Sequence, residues 1–157
     1  MYEDQFLHEE NLSDIQKTII EKFKSNYQLG VSSDLKKMRK STFAICPRGK
    51  IHSWTPTFYH AISVGAIPVV ISDSWVLPFH QIIHEEDLIV RVRESQVKQL
   101  DLILEETMID EVTLKTKRRG VARHWRDFLQ WDYIAYNFLL TLKLRMRNLM
   151  DKFSLSE

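Results

Sequence analysis

Apolar positions change their period twice along this chain. Ile15, Ile19, Ile20 and Phe23 recur at helical spacing behind Ser13, a residue type that caps a first turn, with Gly30 beyond the end. Leu35–Arg39 has room for one more helical turn. The period then falls away: Thr42-Phe43-Ala44-Ile45-Cys46 reads as a short buried strand, stopped by Pro47 and Gly49. Thr55-Pro56 is an N-cap followed by proline at the first helical position, which predicts a helix to about Val64 with Gly65 as its stop. Ile67-Pro68-Val69-Val70-Ile71 is β-branched and apolar throughout, the pattern of a strand buried on both faces. The Val76–Ile83 segment leads to a third strand at Leu88–Val92. From Ser95 onward the pattern is helical: Val97, Leu100, Ile103 and Leu104 share one face, and Ile109–Gln130 and Tyr133–Lys152 supply two more helices.

Strands alternating with helices across Thr42–Glu106 predict an α/β fold with right-handed crossovers and a short parallel sheet, a Rossmann-like three-layer domain. Three strands are fewer than a self-sufficient doubly wound sheet has, so the sheet is expected to be truncated. Residues 1–10 are polar and read as a flexible tail, leaving 11–152 as a single domain. The 157 residues suffice for one core and are too few for a two-domain machine.

Charge changes the picture little. The formal net charge of +1 gives no bulk reason to expect nucleic acid or an anionic membrane. Apolar runs are far shorter than the ~20 residues of a bilayer helix, and the first residues lack the basic and apolar regions of a signal peptide. As read, the chain is soluble and untargeted. Cys46 is the single cysteine; it reads as a small apolar residue ending a strand.

In open parallel sheets ligands bind beyond the carboxyl ends of the strands. After the first strand comes Cys46-Pro47-Arg48-Gly49-Lys50, leading into the helix near Thr55; after the second comes Ser72-Asp73-Ser74-Trp75. Two cations, free helix N-terminal amides and hydroxyls at Ser53, Thr55 and Thr57 are what a diphosphate requires. A glycine-containing loop before a helix is also ordinary turn chemistry, Arg48 and Lys50 are also what solvated loop cations look like, and Asp73 is also a turn former.

The run Ser41-Thr42-Phe43-Ala44-Ile45-Cys46-Pro47-Arg48-Gly49, followed by Ala61-Ile62-Ser63-Val64-Gly65-Ala66-Ile67-Pro68-Val69-Val70-Ile71-Ser72-Asp73-Ser74-Trp75-Val76-Leu77-Pro78-Phe79, resembles the exostosin-like glycosyltransferases, also grouped as family 47. The likeness extends more weakly from Ile15 to Arg147. It implies the C-terminal, nucleotide-sugar-binding half of a GT-B fold, two Rossmann-like halves facing across a cleft. It further implies transfer of a sugar from a nucleoside diphosphate to a glycan acceptor in the Golgi lumen, without metal or other cofactor. The donor would meet Arg48, Gly49, Lys50, Ser53, Thr55, Thr57, His60, Ser72, Asp73 and Trp75. An N-terminal half would shape the acceptor site and is expected to carry the general base, so no catalytic residue is assigned.

Two departures accompany the resemblance. Where the family commonly carries S-x-R-x-x-E-A, this chain has Thr55-Pro56-Thr57-Phe58-Tyr59-His60-Ala61, with Thr57 for the arginine and His60 for the glutamate. The second is that no N-terminal half is present in the sequence. The Thr57 and His60 replacements favour an alternative, a non-catalytic binding or scaffold module of the same fold, whereas the intact Pro-Arg-Gly and Ser-Asp loops favour the glycosyltransferase.

Other signals have plainer readings. His80 and His84 are four residues apart, but Gln81 stands where a zinc-protease helix needs glutamate, so no metal site is expected. Trp75, Leu77 and Phe79 read as core or cleft-wall packing ahead of sugar stacking. Lys115, Lys117, Arg118, Arg119, Arg123 and Arg126 form a basic run without a recognition motif, read as a solvated face, not as a nucleic-acid surface. Trp125, Phe128 and Trp131 among them are spaced to pack beneath the sheet.

Overall fold

The structure, a computed structural model, describes residues 13–23, 34–49, 56–77, 80–129 and 131–154. The tail, Gly30, Lys50, Ser53, Thr55 and Phe79 lie outside these residues.

The described elements run α1 (Asp14–Phe23), α2 (Leu35–Met38), β1 (Phe43–Pro47), α3 (Thr57–Val64), β2 (Ile67–Ile71), β3 (Val90–Val92), α4 (Leu100–Ile109), α5 (Glu111–His124) and α6 (Trp131–Ser154). The three strands form a parallel sheet in the order β1-β2-β3. Phe43 to Pro47 pair with Ile67 to Ile71, and Val69 to Ile71 pair with Val90 to Val92. An α/β fold with a short parallel sheet is therefore what the alternating pattern produces.

Every residue of β2 is buried. Because successive side chains of a strand point to opposite faces, both faces of the centre of the sheet are covered. Helix α3 lies against β1 and β2 and turns Phe58, Ala61 and Ile62 inward. Burying Phe58 and Ile62 contributes on the order of 2 kcal/mol each. The helix ends where expected: Gly65 adopts φ 83°, a left-handed conformation without penalty for glycine, and the chain turns directly into β2.

Several boundaries differ from the sequence reading, each for a local reason. Helix α3 begins at Thr57 with Pro56 at the cap, and proline offers no side-chain acceptor. Strand β1 runs through Pro47, tolerated because β1 is at an edge of the described sheet. The third strand is three residues long: Leu88 and Ile89, though buried, both donate to the Glu85 carbonyl and close a 3-10 turn instead. The helix predicted from Ile109 starts only after Asp110, whose carboxylate accepts from the amides of Val112 and Thr113 at 3.0 and 3.1 Å. It then widens into a π turn at Trp125–Leu129. Buried Asn137 of α6 donates to the Asp127 carbonyl of that turn at 2.8 Å, pinning the start of α6.

The basic run is only partly a solvated face. Lys115, Arg118, Arg119, Arg123 and Arg126 are exposed, but Lys117 is buried and donates to the carbonyls of Glu86 and Ile89 at 2.6 and 2.7 Å. Burial pulls its ammonium below the ordinary lysine value, opposed by Asp87, Glu86 and Glu85. Trp125 is 37% exposed and does not lie beneath the sheet.

Candidate functional site

The residues that follow the three strands meet at one end of the sheet. The Arg48 amide continues the ladder by donating to Ile71 at 2.9 Å. Its carbonyl accepts from the Ser13 hydroxyl at 3.1 Å, and Ser13 in turn exchanges hydrogen bonds with Gln16 at the head of α1. With its backbone fixed at both ends, Arg48 extends its side chain to Glu94, Nε to Oε1 at 2.7 Å. Glu94, two residues beyond β3, is tied to Asp73, two residues beyond β2. Its amide donates to the Asp73 carboxylate at 3.1 Å, and the Asp73 amide reaches the Glu94 carboxylate at 3.4 Å. One cation and two carboxylates therefore link all three loops, with Arg48 and Glu94 side chains 31% and 25% exposed.

A second arginine secures the loop after β2 from the other side. Arg91 of β3 grips Glu85 through Nε and Nη2, at 2.7 and 2.8 Å, in the forked geometry that suits guanidinium and carboxylate. It also donates to the carbonyls of Ser72 and Trp75, both at 3.1 Å, and lies 5.0 Å from the Trp75 ring centre. Trp75 is 7% exposed and packs on Phe58 with centroids 4.9 Å apart. It serves as a wall between α3 and Arg91, the packing role its sequence context favoured. Leu77 is buried as well.

Of the expected donor contacts, the structure joins Arg48 to Asp73 through Glu94 and places Gly49 beside them, its carbonyl 3.4 Å from Arg48 Nη1. Ser72 is 1% exposed at the end of β2, its hydroxyl without a partner among the described residues. Thr57 and His60 sit half-buried on α3, and no hydrogen bond among the described residues ties their side chains to the cluster. Lys50, Ser53 and Thr55 lie outside the described residues.

The cluster contains a residue that the sequence reading passed over. Glu94 stands in the same relation to β3 as Asp73 does to β2. Applying the rule of strand carboxyl ends to the third loop as well as the first two would have found it.

Other candidate groups are accounted for structurally. Cys46 is buried, donates to the Ala44 carbonyl at 3.3 Å, and burial pushes its thiol far up, so no thiolate forms near neutral pH. His84 is exposed, its Nδ1 3.8 Å from Glu86. Among the described residues no group of three or more His, Cys, Asp or Glu is arranged to hold a metal ion, and no helix is long and apolar enough to cross a membrane.

A model of the Exostosin GT47 domain matches residues 5–107. One relative, named "Probable glucuronosyltransferase" in Oryza sativa subsp. japonica, is 36% identical over 102 residues, covering 62% of this chain and 24% of its own length. Another, named "Probable beta-1,4-xylosyltransferase" in Arabidopsis thaliana, is 37% identical over 107 residues, covering 65% of this chain and 25% of its own. The chain thus spans about a quarter of the length of these relatives.

Proposed function

The chain belongs to the exostosin GT47 family, and on that premise we propose that it is the donor-binding part of a glycosyltransferase. The reaction is transfer of a sugar from a nucleoside diphosphate to a glycan acceptor. The relatives' names point to a glucuronosyl or xylosyl donor. Arg48 carries the reading. It is held at the carboxyl end of a parallel sheet, ahead of α3, in a loop cross-linked to those after β2 and β3. A diphosphate leaving group gathers negative charge as the glycosidic bond breaks, and a fixed guanidinium with α3 behind it stabilises that charge in place of a metal. Gly49, Lys50, Ser53, Thr55 and Thr57 complete the phosphate side, while His60, Ser72 and Asp73 offer hydrogen bonds to ribose or sugar hydroxyls.

The acceptor site and the general base belong, in this reading, to an N-terminal GT-B half, and the present sheet is a truncated C-terminal one. A Golgi location for the whole enzyme goes with that arrangement. The second reading, a non-catalytic binding module, is favoured by one specific feature. Arg48 is already paired in a cluster where two carboxylates face one cation, and Thr57 and His60 bring no replacement charge.

Calorimetric titration with UDP and GDP, first without metal and then with EDTA, separates the two. Micromolar binding that survives EDTA and is lost in Arg48→Ala supports the donor site. A folded chain that binds neither nucleotide overturns it.

A further inference from the structure

Glu94 is anchored more firmly than a surface carboxylate needs to be. Its amide is committed to Asp73, its carboxylate receives both the Asp73 amide and Arg48 Nε, and it opens the 3-10 turn Glu94–Gln99 that packs on α1. These contacts hold the carboxylate beside Arg48 as an anion approaches. A guanidinium has five N–H donors; Glu94 occupies the one at Nε and the Gly49 carbonyl faces one at Nη1 at 3.4 Å. An anion can take the remaining donors, but it does so beside a fixed negative charge.

We infer that Glu94 discriminates between the donor and the spent nucleotide by charge, weakening the site for the product more than for the substrate; this rests on the donor role proposed for Arg48. The terminal phosphate of a nucleoside diphosphate carries about −1.5 to −2 at neutral pH. In the nucleotide sugar the same phosphate is esterified to the sugar and has one ionisable oxygen fewer. A carboxylate fixed beside Arg48 repels the first more than the second, so it favours product release over donor loss. Asp73 adds a second charge of the same sign, but its carboxylate is committed to the Glu94 amide and has no bond to Arg48 among the described residues.

The test compares UDP with UDP-xylose, whose sugar is uncharged, on the wild-type chain and on Glu94→Gln. Glutamine keeps an acceptor for Arg48 and for the Asp73 amide while removing the charge. Glu94→Gln is expected to tighten UDP on the order of tenfold, the scale of one unit charge across a partly exposed contact, and UDP-xylose about threefold. The readout is the ratio of the two affinities, which a merely structural role for Glu94 would leave unchanged because it would move both ligands alike. Glu94→Ala, checked by thermal denaturation, should shift the two affinities in the same order. Equal tightening of both ligands, no tightening, or weaker binding of UDP overturns the inference while leaving the donor site standing. Failure of both ligands to bind wild type and variants alike overturns the donor reading and this inference with it.

Discussion

Replacing Gly120 with alanine sets two effects of opposite sign against each other. Gly120 lies inside α5, where alanine is favoured over glycine by about 1 kcal/mol in an unobstructed helix. Obstruction is what the tertiary structure adds. A Cβ at this position would run into the carbonyl oxygen of Asp87, stand 2.9 Å from its carbon and 3.4 Å from Leu88 Cα. All of these are backbone atoms, so no rotamer change relieves the overlap. Relief requires α5 to move off the 85–89 turn by roughly an ångström, which costs ~1–3 kcal/mol as overpacking. The same motion stretches the two bonds that Lys117, one turn earlier on α5, makes to Glu86 and Ile89. Hydrogen bonds from a charged donor are worth about 1.5–3 kcal/mol each, and their partial loss adds to the cost. The steric and hydrogen-bond terms win, and Gly120→Ala is expected to destabilise the chain by about 2 kcal/mol. In a domain of this size that lowers Tm by roughly 4–8 °C. Urea denaturation followed by circular dichroism measures it, with exposed Thr116→Ala on the same helix as the control that should be neutral or slightly stabilising. A Gly120→Ala protein as stable as wild type, or more so, would refute the close approach of α5 to the turn.

Two other perturbations follow, one at a buried imidazole and one at an exposed guanidinium of β3. His124 is 2% exposed, stacks on Phe128 at 5.4 Å and has no hydrogen-bond partner for either ring nitrogen among the described residues; burial lowers its pKa to about 4. A folded pKa below the unfolded ~6.5 means that the unfolded chain binds the extra proton first. Stability is therefore full above about pH 6.5 and falls as the pH drops toward 4, by about 2 kcal/mol at pH 5. Urea midpoints measured from pH 7 to 5 should show this decline, and His124→Leu should flatten it; an unchanged slope in the variant would assign the decline to other groups. Arg91→Lys keeps the charge but loses the fork that joins Glu85 to the Ser72 and Trp75 carbonyls. It should cost about 2 kcal/mol in thermal or urea denaturation, and a loss below about 0.5 kcal/mol would show that lysine can replace those contacts.

Much of this architecture is legible in the residue order because its causes are local. The continuous apolar, largely β-branched run Ile67–Ile71 has the pattern of a strand covered on both faces, and Gly65 after the helical run is the signal of a helix end where φ turns positive. Arg48 and Asp73 were placed at the strand ends by the same local logic. Where the sequence reading failed, the missing information was nonlocal. Nothing within the basic run of α5 marks Lys117 as the one cation that turns inward, since its partners are carbonyls some thirty residues earlier. Nor does Gly120 announce itself, because glycine inside a helix signals a close neighbour without saying which.

The candidate site divides in the same way. Composition and spacing determined that a parallel α/β unit would present Arg48 and Asp73 beyond its strands, because strand direction and side-chain alternation follow from short-range sterics. Only the packed sheet decided that Glu94 would join them. Its carboxylate reaches Arg48 because β1, β2 and β3 are parallel neighbours in register and all three end on the same side, bringing loops 46 residues apart in the chain to 2.7 Å. That proximity, and the charge balance it creates around Arg48, is a property of the sheet and not of any segment of the sequence.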